Sequence, residues 1–253
     1  MAARSQRDVA LAPPEARPQS LSEEAFLAIR DRIVTLRLAP GAVIDERAVM
    51  EELGFGRTPV REALTRLGND GLVTSIPRRG KVVSEINITD LNAISEVRLE
   101  LETLAARIAA VRATEADRDE ARKLISELDE VVIDFEMARY VPLDQRVHRF
   151  VHRTSKNVFL DRTLERFLYL ALRLWFMSME TLAALKDHAE HNPGPDELRK
   201  VLGGIIAGNG QVAAEILREH MTRAQHEILL LVLGQSRDGS AQMDEPGRVS
   251  RRV

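Results

Sequence analysis

Apolar residues return at helical spacing from Leu21 onward: Leu21, Phe26, Ile29, Ile33 and Leu36 fall on one stripe, with Ser22 placed as an N-cap and Pro40-Gly41 closing the segment. This pattern predicts a first helix. Asp45 then stands where an N-cap belongs, ahead of Val49, Met50 and Leu53, and Gly54 follows where a left-handed residue ends a helix. Thr58 as N-cap and Pro59 at the first helical position, where its missing N–H costs nothing, predict a third helix over about 59–67. The pattern then becomes β-rich in Leu72–Ile76 and Lys81–Val83, and Pro77-Arg78-Arg79-Gly80 between them reads as a hairpin. Three short helices followed by a hairpin are the order of a winged helix-turn-helix.

Beyond Ile86 the chain changes character. Thr89 or Asp90 opens a long amphipathic helix through Ile94, Val97, Leu101, Leu104, Ala105 and Ile108, and Thr114-Glu115-Ala116-Asp117 resembles a capping box for the next. Further helices are expected from Pro142, Val158, Pro195 and about Gly210, with no strand-like alternation. The expected fold is mainly α: a winged helix-turn-helix over 21–86, then an all-α antiparallel helical bundle over 87–234, with Tyr169, Trp175 and Phe176 lining part of its interior. Residues 1–20 and 235–253 lack apolar periodicity and read as disordered tails.

Composition narrows the chemistry. No apolar run approaches the roughly 20 residues of a membrane-spanning helix, and charges occupy the place of a signal peptide's apolar region, so a cytoplasmic protein without membrane contact is expected. The absence of cysteine excludes disulfides, thiolate catalysis and cysteine-ligated zinc. The net charge of −3 is unevenly placed: Arg57 to Lys81 holds six basic side chains against two acidic ones, whereas Glu85 to the end holds 23 against 28. A small basic patch ahead of an acidic body implies a local anion-binding surface.

Within that patch Arg57 and Arg61 lie one helical turn apart, while Val60, Leu64 and Leu67 fall on another stripe that can hold the helix to its neighbours. The spacing alone fits a solvated helix as well as a DNA reader. The order of elements favours the reader, because the N-terminal residues of a recognition helix reach the major groove, where arginine grips guanine in bidentate fashion. Thr58 and the free N–H groups of the first turn suit a phosphate, and Arg47 and Arg79 can flank the same groove.

The run LAPGAVIDERAVMEELGFGRTPVREALTRLGNDGLV and the PRRGKVV hairpin resemble the N-terminal domain of the GntR family of bacterial transcription regulators. The resemblance implies operator contacts by Arg47, Arg57, Thr58, Arg61 and Gly80, with Arg57 and Arg61 on base edges and Gly80 entering the minor groove. Phe55 and Gly56 depart from the commoner Val-Ser, which removes a serine–phosphate contact expected at position 56.

In the bundle, Asp144 and His148 are one turn apart and can converge on one metal ion, with His220 a third ligand; a buried Asp–His pair without metal fits the same spacing. Arg98 with Glu102, then Asp144 to Asn157, then the helix ending in His220 are similar to the FCD subgroup of that family. This implies a divalent ion, zinc or nickel-like, held by one Asp and three His beside a pocket for a small carboxylate or acyl metabolite. The position of the remaining histidine falls on Leu198, which has no lone pair to donate, so the site is either weakened and more open or no longer metal-dependent. His152, His188 and His191 are conceivable substitutes, but two turns of helix, about 11 Å, separate Asp144 from His152. Arg173, alone in the apolar YLALRLWFMSM, is either a carboxylate clamp or a surface arginine.

Three functions compete on these residues: a ligand-responsive regulator, by family usage a repressor, binding a pseudopalindromic double-stranded DNA operator as a homodimer; a metal-dependent enzyme whose Asp144, His148 and His220 activate water; and a helical interaction protein whose winged domain makes protein contacts. An enzyme has no use for the Gly54–Gly80 module, and no separate general base surrounds the trio. The regulator is the expected reading.

Overall fold

The computed structural model describes residues 11, 12, 18, 20–184 and 192–241. Helix α1 (Leu21–Val34) is capped by Ser20, whose hydroxyl accepts from the Glu23 N–H; Ser22, the expected cap, instead donates from its hydroxyl to the Glu62 carboxylate. The helix stops at Val34, two residues before Leu36, which adopts a positive φ of 60°. Asp45 caps α2 (Glu46–Leu53) through the N–H groups of Arg47 and Ala48, and Gly54 closes it in the left-handed region at φ 72°. Helix α3 (Arg57–Asn69) starts two residues earlier than Pro59, with Gly56 rather than Thr58 as its N-cap and no side chain satisfying the first turn. Strands β1 (Val73–Ile76) and β2 (Gly80–Val83) pair antiparallel, Val73 opposite Val83 and Ile76 opposite Gly80.

Asn87 caps α4 (Ile88–Arg112), accepting from the Thr89 N–H, in place of Thr89 or Asp90. The capping box at Thr114 and Asp117 opens α5 (Glu115–Ile133). Helix α6 (Met137–Thr154) begins five residues before Pro142, which therefore sits inside the helix rather than at its start; one backbone hydrogen bond of the opening turns is given up. Helices α7 (Val158–Ala184), α8 (Gly194–Ile206) and α9 (Gly210–Ala241) complete the bundle, α9 continuing beyond the expected end at 234. Among the described residues no helix is long and apolar enough to cross a membrane.

Two cores form. One gathers α1, α2, α3 and the hairpin around Ile29, Ile33, Leu64 and Leu67; the other gathers the bundle around Phe150, Leu128, Leu164, Leu198 and Leu202. Helix α7 belongs to both, because its Leu168, Tyr169 and Leu172 pack into the first core while Leu160 and Leu164 pack into the second. Tyr169 is thus a junction residue, not a lining of the bundle interior. Its phenol oxygen accepts from Arg30 of α1 at 2.6 Å and from Arg149 of α6 at 3.2 Å, and donates to Glu165. Burial, with the Glu165 charge beside it, pushes this phenol well above its ordinary pKa, so it keeps the proton it donates.

The N-terminal segment is also tied down at one point. Ala12 is buried, its N–H donating to Gln145 Oε1 at 3.0 Å and its carbonyl accepting from Arg149 at 3.4 Å, while Leu11 packs against the first core. Residues 11 and 12 are therefore docked on α6, contrary to a free tail through residue 20. Their backbone polar groups meet complementary side chains that apolar periodicity does not reveal.

Candidate nucleic-acid interface and sensor site

Helix α3 buries Val60, Ala63, Leu64 and Leu67 against α1 and leaves Arg57, Thr58, Arg61 and Thr65 exposed. Among the described residues, the Arg57 and Arg61 side chains make no hydrogen bond or ion pair. Two uncompensated guanidinium groups therefore stand at the positive end of a helix whose first N–H groups are also free, an arrangement suited to a polyanion. Arg66, on the same helix, is committed: its guanidinium lies 3.8 Å from the centroid of the Phe26 ring. Arg47 is exposed and paired with Glu51 at 3.0 Å. Arg79 is exposed at the hairpin tip, next to Gly80, whose φ of +88° favours glycine and whose missing Cβ leaves open space.

In the bundle, α6 and α9 bring Asp144, His148 and His220 together, each offering a ligand atom within 4.8 Å of the others. Asp144 Oδ1 lies 3.4 Å from His220 Nε2 and accepts from the Tyr140 hydroxyl at 3.2 Å. Each histidine has a carboxylate on its other ring nitrogen. Glu102 of α4 sits 3.1 Å from His148 Nδ1, and Glu197 of α8 sits 2.8 Å from His220 Nδ1. Arginines anchor both carboxylates, Arg98 on Glu102 at 3.0 Å and Arg223 on Glu197 at 2.6 Å.

The electrostatics follow from these contacts. Burial alone would raise the Glu102 carboxyl, but His148, His152 and Arg98 outweigh it and hold it well below the usual carboxylate range. Asp144 behaves likewise: burial opposes ionisation, and the hydrogen bond from His220 with the nearby charges of His148 and His220 prevails. Burial would raise the Glu197 carboxyl, but the hydrogen bonds and charges of His220 and Arg223 together outweigh it and draw it down to about 2. His220 is raised, since Asp144 and Glu197 overcome the burial that disfavours its charge.

These residues fit a divalent ion. A tetrahedron with bonds of about 2.1 Å has edges of about 3.4 Å, the separation of Asp144 Oδ1 from His220 Nε2, and a carboxylate on the far nitrogen is the usual support of a metal-binding imidazole. Leu198 is fully buried among core residues and contributes no donor; its neighbour Glu197 supports His220 from outside the donor set. A second group, Glu102, His148 and His152, is fully buried, with His152 Nε2 2.9 Å from Glu102. It reads as a hydrogen-bonded support of His148, because the buried His152 Nδ1 has no partner, and an ion on Nε2 would leave that nitrogen's proton without an acceptor. Asp144 and His152 share no donor group. His188 and His191 lie outside the described residues. Arg173 is committed elsewhere: its guanidinium donates to the Ser84 carbonyl between β2 and α4, and burial lowers its pKa to about 10 despite the nearby Glu85. That is a junction contact rather than a carboxylate clamp.

Glu102 is already marked in the sequence as the i,i+4 partner of Arg98, whereas Glu197 and Tyr140 were missed, because they join the site only through the packing of α8 and the start of α6.

Residues 21–83 match the family model of bacterial regulatory proteins of the gntR family, and residues 93–223 match the FCD domain model. An uncharacterized HTH-type transcriptional regulator in an unstable DNA locus of Streptomyces ambofaciens is 30% identical over 225 residues, covering 81% of this chain and 84% of that protein. The HTH-type transcriptional repressor RspR of Escherichia coli is 25% identical over 162 residues, covering 64% and 71%. The structure of E. coli McbR/YncC superposes with a TM-score of 0.70 at 22% identity, covering 86% of this chain and 100% of that one. A winged helix-turn-helix joined to a helical domain of this kind defines a DNA-binding transcription regulator, not an enzyme. The chain belongs to the GntR family and carries an FCD domain.

Proposed function

We propose that this chain is a ligand-responsive repressor that binds a pseudopalindromic operator as a homodimer, its DNA affinity controlled by a small carboxylate or acyl metabolite in the helical domain. The assignment gives residues 21–86 to operator binding and 87–234 to effector binding and dimerisation. The observation that carries it is the pair of exposed, unpaired arginines at the start of α3. In this reading Arg57 and Arg61 contact base edges, Thr58 and Arg47 contact phosphates, and Arg79 with Gly80 follows the minor groove. Asp144, His148 and His220 would hold a divalent ion, which would supply a Lewis-acidic charge for a carboxylate, while Leu198 offers it no donor. Tyr140 orients Asp144, and Glu102 and Glu197 keep both imidazoles directed at the ion. The Arg149–Tyr169–Arg30 contacts then link the ligand-bearing α6 to α1, and an effector acts only so far as it binds one arrangement of the two reading heads better than the other.

The test is selection of genomic fragments by the full-length protein, followed by footprinting and gel shift. A saturable, salt-dependent complex with a two-fold-related footprint is expected. Arg57→Ala and Arg61→Ala should each weaken it by about 1–3 kcal/mol without altering the melting temperature. Unchanged affinity in both variants refutes the assignment of base contacts.

A further inference from the structure

Helix α7 grips the winged domain at three separate places along about 10 Å of its length. Arg166 donates from Nε to the carbonyl of Asp70, the C-cap of α3, at 3.2 Å. One turn on, the Tyr169 hydroxyl accepts from Arg30 of α1 at 2.6 Å. A further turn on, Arg173 donates from Nη2 to the Ser84 carbonyl, just beyond β2. Leu168 and Leu172, between these polar contacts, fill the same boundary with apolar surface. Apolar contact is non-directional and lets two bodies slide or turn against each other, whereas a hydrogen bond weakens steeply away from its preferred angle. The three polar contacts therefore fix the direction in which the winged domain faces, and one of them holds the far end of the helix that carries Arg57 and Arg61.

Stability does not account for Arg173. Its side chain is buried at 2% exposure, its hydrogen bond goes to a backbone carbonyl, and its Nε has no partner among the described residues. Burial disfavours its charge, and the Glu85 carboxylate nearby does not make up the difference. Replacing a buried, incompletely paired charge by an apolar side chain of similar volume is often neutral or stabilising, and Leu172 and Leu174 on either side of it are already buried. Methionine would serve the fold as well. What the arginine adds is a fixed position for the backbone that leaves β2 and leads into α4.

We propose that Arg173, together with Arg166, determines which half-site spacing the protein accepts, by fixing the winged domain on α7 rather than by touching DNA. This rests on the operator reading above and adds two positioning residues to it. In a two-fold operator one added base pair moves a half-site by about 3.4 Å and turns it by about 35° around the duplex axis. A winged domain held at three points cannot follow both displacements. Released at Ser84, it can swing on the apolar contact that remains.

The test measures the affinity of the full-length protein for the operator fragment selected as above, and for versions with one base pair inserted or removed between its half-sites. The wild type should lose affinity by about tenfold or more on either change. Arg173→Met should lose less than about threefold, should bind the original spacing roughly three- to tenfold more weakly than the wild type, and should melt within about 3 °C of it. Arg173→Lys, which keeps a cationic donor, should stand between the two. Arg166→Ala should also lessen the discrimination while leaving the salt dependence of binding unchanged, because loss of a phosphate contact would lower that slope by about one. Wild-type discrimination in Arg173→Met overturns the proposal, and if that variant does not fold, the same result in Arg166→Ala does. A lowered salt slope in Arg166→Ala overturns its positioning role. A wild type indifferent to the inserted base pair overturns the spacing assignment while leaving operator binding intact, whereas a wild type with no saturable complex overturns the operator reading itself.

Discussion

Replacing Tyr169 by phenylalanine removes one oxygen from the junction between the two cores and leaves the ring in place. That oxygen accepts from Arg30 at 2.6 Å and from Arg149 at 3.2 Å, and all three residues are buried. Hydrogen bonds involving a charged group contribute about 1.5–3 kcal/mol each. Neither guanidinium is left bare, however: Arg30 keeps Asp31 at 2.6 Å, its face remains 4.4 Å from the ring centroid, and Arg149 keeps Glu165 at 3.1 Å. The two bonds sum to about 3–6 kcal/mol, and the partners that remain bring the net loss to just below that range, about 2–3 kcal/mol, or roughly 30- to 150-fold in the unfolding equilibrium. Urea unfolding followed by the fluorescence of Trp175, the single tryptophan, measures it as a shift in midpoint at constant slope. A double-mutant cycle with Arg149→Met should return a coupling of at least about 0.5 kcal/mol. A midpoint unmoved within about 0.5 kcal/mol refutes the assignment of Tyr169 as the acceptor that ties α1 to α6.

Leu198→Ala should destabilise the fold by about 3–5 kcal/mol, because it opens a cavity in a fully buried site; a loss below 1 kcal/mol in calorimetry contradicts the packing described. Glu197 has a folded pKa of about 2 against an ordinary 4.5, so its contribution is complete above pH 4.5 and is lost as pH falls toward 2. Glu197→Gln should accordingly flatten the acid limb of stability against pH, and an unchanged limb argues against its bonds to His220 and Arg223. His148→Ala and His220→Ala should each lower zinc affinity at least tenfold in a competition titration with a chromophoric chelator, and wild-type affinity in both removes the ion from that site.

Local rules account for much of the architecture. Asp45, Gly54, the Thr114–Asp117 box and the basic hairpin announce their elements because caps and turns depend on a few neighbouring residues. Where expectation failed, a nearby alternative satisfied the same physics: Ser20 and Gly56 served as caps, and Pro142 was absorbed inside α6. The outward-facing arginines of α3 were legible for a related reason. Arg57 and Arg61 stand exposed at one end of one helix, and their exposure follows from the apolar stripe of Val60, Leu64 and Leu67 on its other side.

The Asp144–His148–His220 cluster and the junction required the tertiary structure. Asp144 and His148 share a turn, so their spacing alone pairs them, but Glu102, Glu197 and His220 come from three other helices and meet only when the bundle closes. Tyr169 and Arg173 look like bundle residues in the sequence, yet Leu168, Tyr169 and Leu172 near the middle of α7 pack into the core of the winged domain and Arg173 donates to the Ser84 carbonyl. Ala12 docks through backbone groups that carry no signal of side-chain type. The amino-acid sequence by itself determined the helices, the hairpin and the arginines that face outward, because those depend on contacts within a turn or two. Which carboxylate supports which histidine, and which arginine crosses the junction, was decided by packing between distant segments, where partners are chosen by the shape of the whole chain.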